Sequence, residues 1–170
     1  GVDILVNSAG IYQEGALEEL AEDELDDLIA TNIKGTVHLT QAGLPYLRSA
    51  RGNIVNVASD AGLHGNYFCA AYAATKGAVI ALTRSLALEL ARDQVRVNAV
   101  APADILTPMT ERQLSPQRPR EEQLREMAEL YPLGRIGTSA EAAAVIAFLA
   151  SSAAAWVTGC VYCVDGGLTA

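Results

Sequence analysis

The sequence predicts an α/β domain, and three observations carry that reading. Short apolar runs alternate with longer stretches of helical periodicity. The short runs are continuously apolar, as in strands covered on both faces. Each one ends in small, polar or turn-forming residues, where open parallel sheets bind their ligands. Strands alternating with helices of this length imply βαβ units, a parallel sheet of four strands and helices on both faces.

The elements follow in order. Asp3 to Asn7 reads as the first strand, stopped by Ser8, Ala9 and Gly10. Glu22 to about Leu44 reads as a helix, with Leu25, Leu28, Ile29, Ile33 and Val37 at helical spacing. Arg51-Gly52 breaks the chain before a second strand, Asn53 to Ala58. Ala70 to Ala91 is helical and apolar on nearly every face, which predicts burial against neighbours or another subunit. Val95 to Val100 is a third strand, ended by Pro102. A polar segment, about 104–132, carries Pro108, Pro116 and Pro119 and a helical stretch from Glu121 to Tyr131. Ser139, followed by Ala140 and Glu141 ahead of an apolar run, signals a helix start. Cys160 to Val164 is the last strand, closed by Asp165-Gly166-Gly167.

Composition narrows the function. The chain has 170 residues, 51% hydrophobic and 19% charged, which suits one domain. Its formal charge of −8 argues against a nucleic-acid surface, which needs a concentrated basic face. No apolar run is long enough to span a bilayer, so no membrane partner is expected. With no basic segment leading into an apolar one, a cytoplasmic location is the expectation. Three cysteines are too few for a disulfide scaffold. Cys160 and Cys163 have the spacing of a metal pair but lack a second pair to complete four ligands, so buried, apolar cysteines are expected.

The residues at the strand ends gather on one rim: Asn7 to Gly10, Ser59, Pro102 with Thr107 further on, and Asp165 to Gly167. Tyr72 and Lys76 lie four apart on the apolar helix and so share a face. A phenol is a reluctant acid or base at neutrality, and a cation held beside it lowers its pKa. Ser59, thirteen residues before Tyr72, can hydrogen-bond a substrate oxygen. Such a set suits moving a proton on and off a secondary alcohol.

The ordered set resembles the short-chain dehydrogenase/reductase family, and the resemblance covers essentially the whole chain. Asn7-Ser8-Ala9-Gly10 resembles the family's Asn-Asn-Ala-Gly turn, Thr31-Asn32 its helix asparagine, and Ser59, Tyr72 and Lys76 its catalytic serine and Tyr-x-x-x-Lys. Arg96 to Pro102 resembles the stretch before its Pro-Gly turn, and Thr107 a threonine near the nicotinamide. The nearest subgroup is the 3-oxoacyl-carrier-protein reductases and glucose dehydrogenases. The resemblance implies an NAD or NADP cofactor and a small carbonyl or alcohol substrate, with a homodimer or homotetramer as the assembly. Asn7, Ala9, Gly10, Pro102, Ala103 and Thr107 would line the cofactor together with Tyr72 and Lys76. Tyr72 would exchange the proton, Lys76 would depress its pKa, Ser59 would polarise the carbonyl, and Asn32 would support a proton relay through water. The 104–132 segment would form a substrate lid, its Arg112, Arg118, Arg120 and Arg125 balanced by neighbouring glutamates.

Three departures qualify the resemblance. Ser8 replaces an asparagine, and Ala103-Asp104 stands where glycine is usual, a cost if the backbone there needs positive φ. No Gly-rich phosphate turn lies between a strand and a helix. By resemblance the chain is the C-terminal portion of a Rossmann-type, doubly wound sheet with its first three strands missing, about 75–90 residues. Val2–Val6 then becomes an apolar edge, and weak NAD(P) binding with self-association is expected of the chain alone. The alternative is a non-catalytic relative surviving as an oligomerisation module. His64, five residues past Ser59, is a candidate for the pocket wall, and His38 is expected on the first long helix.

Overall fold

A computed structural model describes residues 1–170. Four strands, β1 (Ile4–Asn7), β2 (Asn53–Val57), β3 (Arg96–Pro102) and β6 (Val161–Val164), form one sheet in that order. All three pairings are parallel, as the apolar strand runs predicted. A second sheet, absent from the sequence reading, pairs β4 (Ile105–Leu106) with β5 (Gly137–Thr138).

Successive side chains of a strand face opposite sides, and the sheet is covered accordingly. Ile54 and Val97 pack with Leu47 of α2 (Thr36–Ala50) and with Leu86 of α3 (Ala70–Glu89). Val55 and Val100 pack on the other side with Leu149 of α6 (Ser139–Ala150). Beneath the strand ends a polar chain crosses the first face. Asn7 Nδ2 donates to Thr40 Oγ1 (3.0 Å) and Asn56 Oδ1 (2.8 Å), and Asn56 Nδ2 donates to Thr83 Oγ1 (2.9 Å).

Two local readings are corrected. The first long helix continues past Leu44 to Ala50, with Pro45 inside α2; proline lacks only the bond to residue 41, and packing of Leu47 against the sheet carries the helix through. That helix opens as α1 (Glu22–Leu28) and passes through a wide π segment, Ile29–Gly35, before α2. α6 starts at Ser139, as the sequence predicts, and Thr138 caps it: Thr138 Oγ1 accepts from Glu141 N, while the Glu141 carboxylate accepts from Thr138 N (2.9 Å), a reciprocal capping box. Cys160 and Cys163 are exposed rather than buried, because β6 is an edge strand with a single neighbour. His38 lies on α2 and is exposed.

The 104–132 segment carries two short helices, α4 (Pro108–Glu111) and α5 (Arg120–Ala128). Two of its four arginines are paired locally, Arg118 with Glu122 (3.1 Å) and Glu126 (2.5 Å) and Arg120 with Glu111, whereas Arg112 and Arg125 form no ion pair.

Candidate active site

The site is built where β1, β2 and β3 end beneath the first turns of α3. Ser59 follows β2 in extended conformation and caps a tight turn, Asp60–Gly62, its Oγ accepting from Ala61 N (3.2 Å). That turn lies directly on α3. A Cβ on Gly62 would stand 2.7 Å from the Lys76 carbonyl carbon and 2.9 Å from Gly77 N, so only glycine permits this approach. The contact fixes the distance between the Ser59 turn and the helix bearing Tyr72 and Lys76.

Asn32, Ser59, Tyr72 and Lys76 come together, none more than 8% exposed. Asn32 sits inside the π segment, an irregularity common at functional sites. Its Oδ1 accepts from Ile11 N (2.9 Å), and its Nδ2 donates to Ile11 O (3.0 Å) and Thr75 Oγ1 (3.0 Å). Both amide N–H bonds are therefore spent on holding the 8–11 turn and α3, and the water relay expected of Asn32 cannot use them.

Lys76 Nζ donates to Val57 O (2.9 Å) and lies 5.7 Å from the centroid of the Tyr72 ring. Burial governs both groups. It lowers Lys76 to about 8 and pushes Tyr72 up to about 12. The Ser59 hydroxyl opposes the rise at Tyr72, and the charges of Asp60 and Asp104 add to it. The ammonium donates to the Val57 carbonyl, and Lys76 is not among the groups that shift Tyr72 here.

Sequence reasoning missed three neighbours. The Tyr12 ring meets the Tyr72 ring edge-on at 4.9 Å, and Tyr12 Oη donates to Glu14 (3.3 Å). Asp60 accepts the Ser59 hydroxyl at 2.8 Å. Asp104, half-buried, accepts from Tyr131 Oη (2.6 Å), while its own N–H donates back to that oxygen (3.2 Å). Burial raises the Asp104 carboxyl, and the Tyr131 hydroxyl works against that rise. Asp104 was visible in the sequence as a residue out of pattern; nothing local marked Tyr12 or Tyr131.

The remaining rim residues are small. Ala9 is exposed, while Gly10, Pro102, Ala103 and Thr107 are half-buried. Thr107 also caps α4, accepting from Thr110 N. Ala103 does not have positive φ, so its departure from glycine costs no backbone strain. Asn7, by contrast, is buried, with its Nδ2 spent on Thr40 and Asn56 within the sheet and its Oδ1 left without a partner. His64 Nε2 faces Asp60 Oδ2 at 3.4 Å instead of standing alone in a pocket wall. A cavity of about 220 Å³ lies alongside, lined by Ala103, Asp104, Tyr131, Leu133 and Cys163 among others. Ser59, Tyr72 and Lys76 do not line it.

The residues present fit the nicotinamide end of a dinucleotide. An ammonium carries three donors, and Lys76 spends one within the chain. Lys76 Nζ faces Gly10, where an added Cβ would stand at 3.3 Å, so the backbone there can be approached closely. Tyr72 and Ser59 supply hydroxyls beside it.

Known proteins share the sequence and fold of this chain. The family described as Enoyl-(Acyl carrier protein) reductase matches residues 1–169. A 3-oxoacyl-[acyl-carrier-protein] reductase of Thermotoga maritima is 46% identical over 168 residues, covering 98% of this chain and 66% of that protein. The solved structure of ElxO with NADP bound superposes with a TM-score of 0.89 at 34% identity, covering 98% of this chain and 66% of the other. A 3-ketoacyl-(acyl-carrier-protein) reductase from Brucella melitensis complexed with NADH gives 0.90 at 31% identity, over 99% and 68%. The chain belongs to the short-chain dehydrogenase/reductase family. It spans 51% to 66% of the length of three curated relatives that it matches.

Proposed function

We propose that this chain carries the catalytic portion of an NAD(P)-dependent oxidoreductase interconverting a secondary alcohol and a ketone. The observation that carries the reading is the convergence of Ser59, Tyr72 and Lys76 in one buried cluster at the end of a parallel sheet. When bound, a nicotinamide supplies or takes up hydride at the substrate carbon. Lys76, with two unspent N–H bonds, and the 8–10 backbone would hold its ribose side, with Pro102, Ala103 and Thr107 toward the ring.

Tyr72 moves the proton at the substrate oxygen. Its phenol is protonated at neutral pH and can donate to a developing alkoxide, which is the stronger base, although burial makes it a weaker acid than a free phenol. For the reverse direction it needs a cation nearer its oxygen, and Lys76 is the one placed to turn from Val57 O. Ser59 orients the reacting oxygen, and Asn32 fixes the surrounding backbone. The 104–132 segment covers the substrate. Leu88, 82% exposed on α3, and Trp156, wholly exposed, support a homo-oligomeric assembly.

Tyr72→Phe is the test, with a panel of ketones assayed against NADH and NADPH. Loss of turnover with an unchanged circular dichroism spectrum supports the reading. A variant with near-normal rates refutes it.

A further inference from the structure

The hydrogen bonds of Ser59 assign a role to its neighbour. A serine hydroxyl has one proton and two lone pairs. The proton goes to Asp60 Oδ1 at 2.8 Å, and one lone pair accepts from Ala61 N at 3.2 Å. One lone pair is left for whatever stands in front of it. Ser59 as found here can accept a hydrogen bond from the reacting group and has none to give.

Asp60 is built to keep it so. It is 6% exposed, its carbonyl accepts from Leu63 N (2.7 Å) and His64 N (3.1 Å), and its second oxygen faces His64 Nε2 at 3.4 Å. Carboxylate acceptance from a hydroxyl is charge-assisted and strong. Releasing the serine proton would leave a buried anion short of a partner.

We propose that Asp60 is a positioning residue that acts through Ser59: it takes the serine proton and presents Ser59 to the reacting oxygen as an acceptor. An alcohol, which donates, then meets a matched partner. A ketone, which can only accept, gains the serine proton only at the expense of the Asp60 bond. The inference rests on the reading of Ser59 and Tyr72 given above and extends it to a residue outside the family's motif. It also bears on Tyr72, because Ser59 can stabilise a phenolate only with the proton that Asp60 holds. The titratable groups around Asp60 are His64 on its own turn, Cys69 and Tyr72 at the start of α3, and Asp104 and Tyr131 across the site.

The test places 3,5-difluorotyrosine at position 72, whose more acidic phenol titrates where the fold is intact. Its ionisation is followed by absorbance in the full chain with Ser59 or Ser59→Ala, each combined with Asp60 or Asp60→Ala. If Asp60 acts through Ser59, Asp60→Ala lowers the midpoint by about one pH unit when Ser59 is present, and Ser59→Ala removes most of that drop. An equal drop in both backgrounds means a direct charge effect and overturns the proposal, as does no drop at all. Asp60→Asn, which keeps the side-chain volume, replaces Asp60→Ala if the latter does not fold. The titration reads a proton in the free protein, so its failure is separable from failure of the Tyr72→Phe turnover test.

Discussion

Gly62→Ala tests whether the approach of the Ser59 turn to α3 sets the site. The new Cβ would lie 2.7 Å from the Lys76 carbonyl carbon, 2.9 Å from Gly77 N and 3.0 Å from Lys76 O. All three are backbone atoms, so no side chain can rotate away. Reaching an ordinary contact of 3.4 Å from 2.7 Å requires the turn and helix to part by about 0.7 Å. Overpacking of this kind costs about 1–3 kcal/mol. In a chain of this length each kcal/mol lowers Tm by about 2–4 °C. The same displacement separates Ser59 from Tyr72, and a misplacement near 1 Å lowers turnover by about 10²-fold. Gly65→Ala is the control, three residues away, with nothing within 4 Å of its added Cβ. The assay is a thermal melt of both variants, paired with ketone reduction. If Gly62→Ala melts and turns over like Gly65→Ala, the packing argument is wrong.

Two further outcomes concern titration and capping. Lys76 is held at about 8 by burial, below its unfolded value near 10.4, so the unfolded chain binds the extra proton between these values. Stability should therefore rise from pH 8 to 10 by something on the order of 3 kcal/mol, then fall as pH rises toward 12, because Tyr72 is raised to about 12 in the folded chain. Urea denaturation at pH 7.5, 9 and 10 checks this, and Lys76→Met should flatten the rise; an equal slope in that variant rejects burial of the ammonium as its cause. Thr138→Ala removes the capping box of α6 and should cost about 1 kcal/mol in a urea melt. Glu141, held at about 2 by Arg135 and then by Thr138, contributes stability that is present above its unfolded value and is lost as pH falls through about 2. Salt should weaken its exposed pair with Arg135.

What the sequence made legible was whatever depended on local periodicity. Continuous apolar runs marked all four strands of the main sheet, and the four-residue spacing of Tyr72 and Lys76 put them on one helical face. The misses are of two physical kinds. The helix read as ending near Leu44 runs on to Ala50 through Pro45, because Leu47 is buried in the core beyond it and packing outweighs one lost bond. Cys160 and Cys163 read as buried because their strand is apolar, yet burial of an edge strand depends on what covers it. Contacts between residues far apart in sequence left no local trace: Asp104 and Tyr131 are 27 positions apart, and Asn32 and Thr75 are 43 apart.

The family motif also names residues without saying where their protons are. It singled out Ser59 as a donor and Lys76 as the cation that acidifies Tyr72. In the folded chain the serine hydroxyl donates to Asp60, and the ammonium donates one of its N–H bonds to the Val57 carbonyl. Both groups donate to partners one or two residues from Ser59. The free site therefore holds the serine proton and one of the three ammonium N–H bonds internally, and a ligand must compete for those two. That competition favours a ligand whose own acceptors outmatch a backbone carbonyl at Lys76 and whose reacting oxygen gains most as charge develops on it. An alkoxide-like transition state satisfies both conditions better than a neutral ketone does, so the internal bonds restrain ground-state binding more than they restrain the reaction.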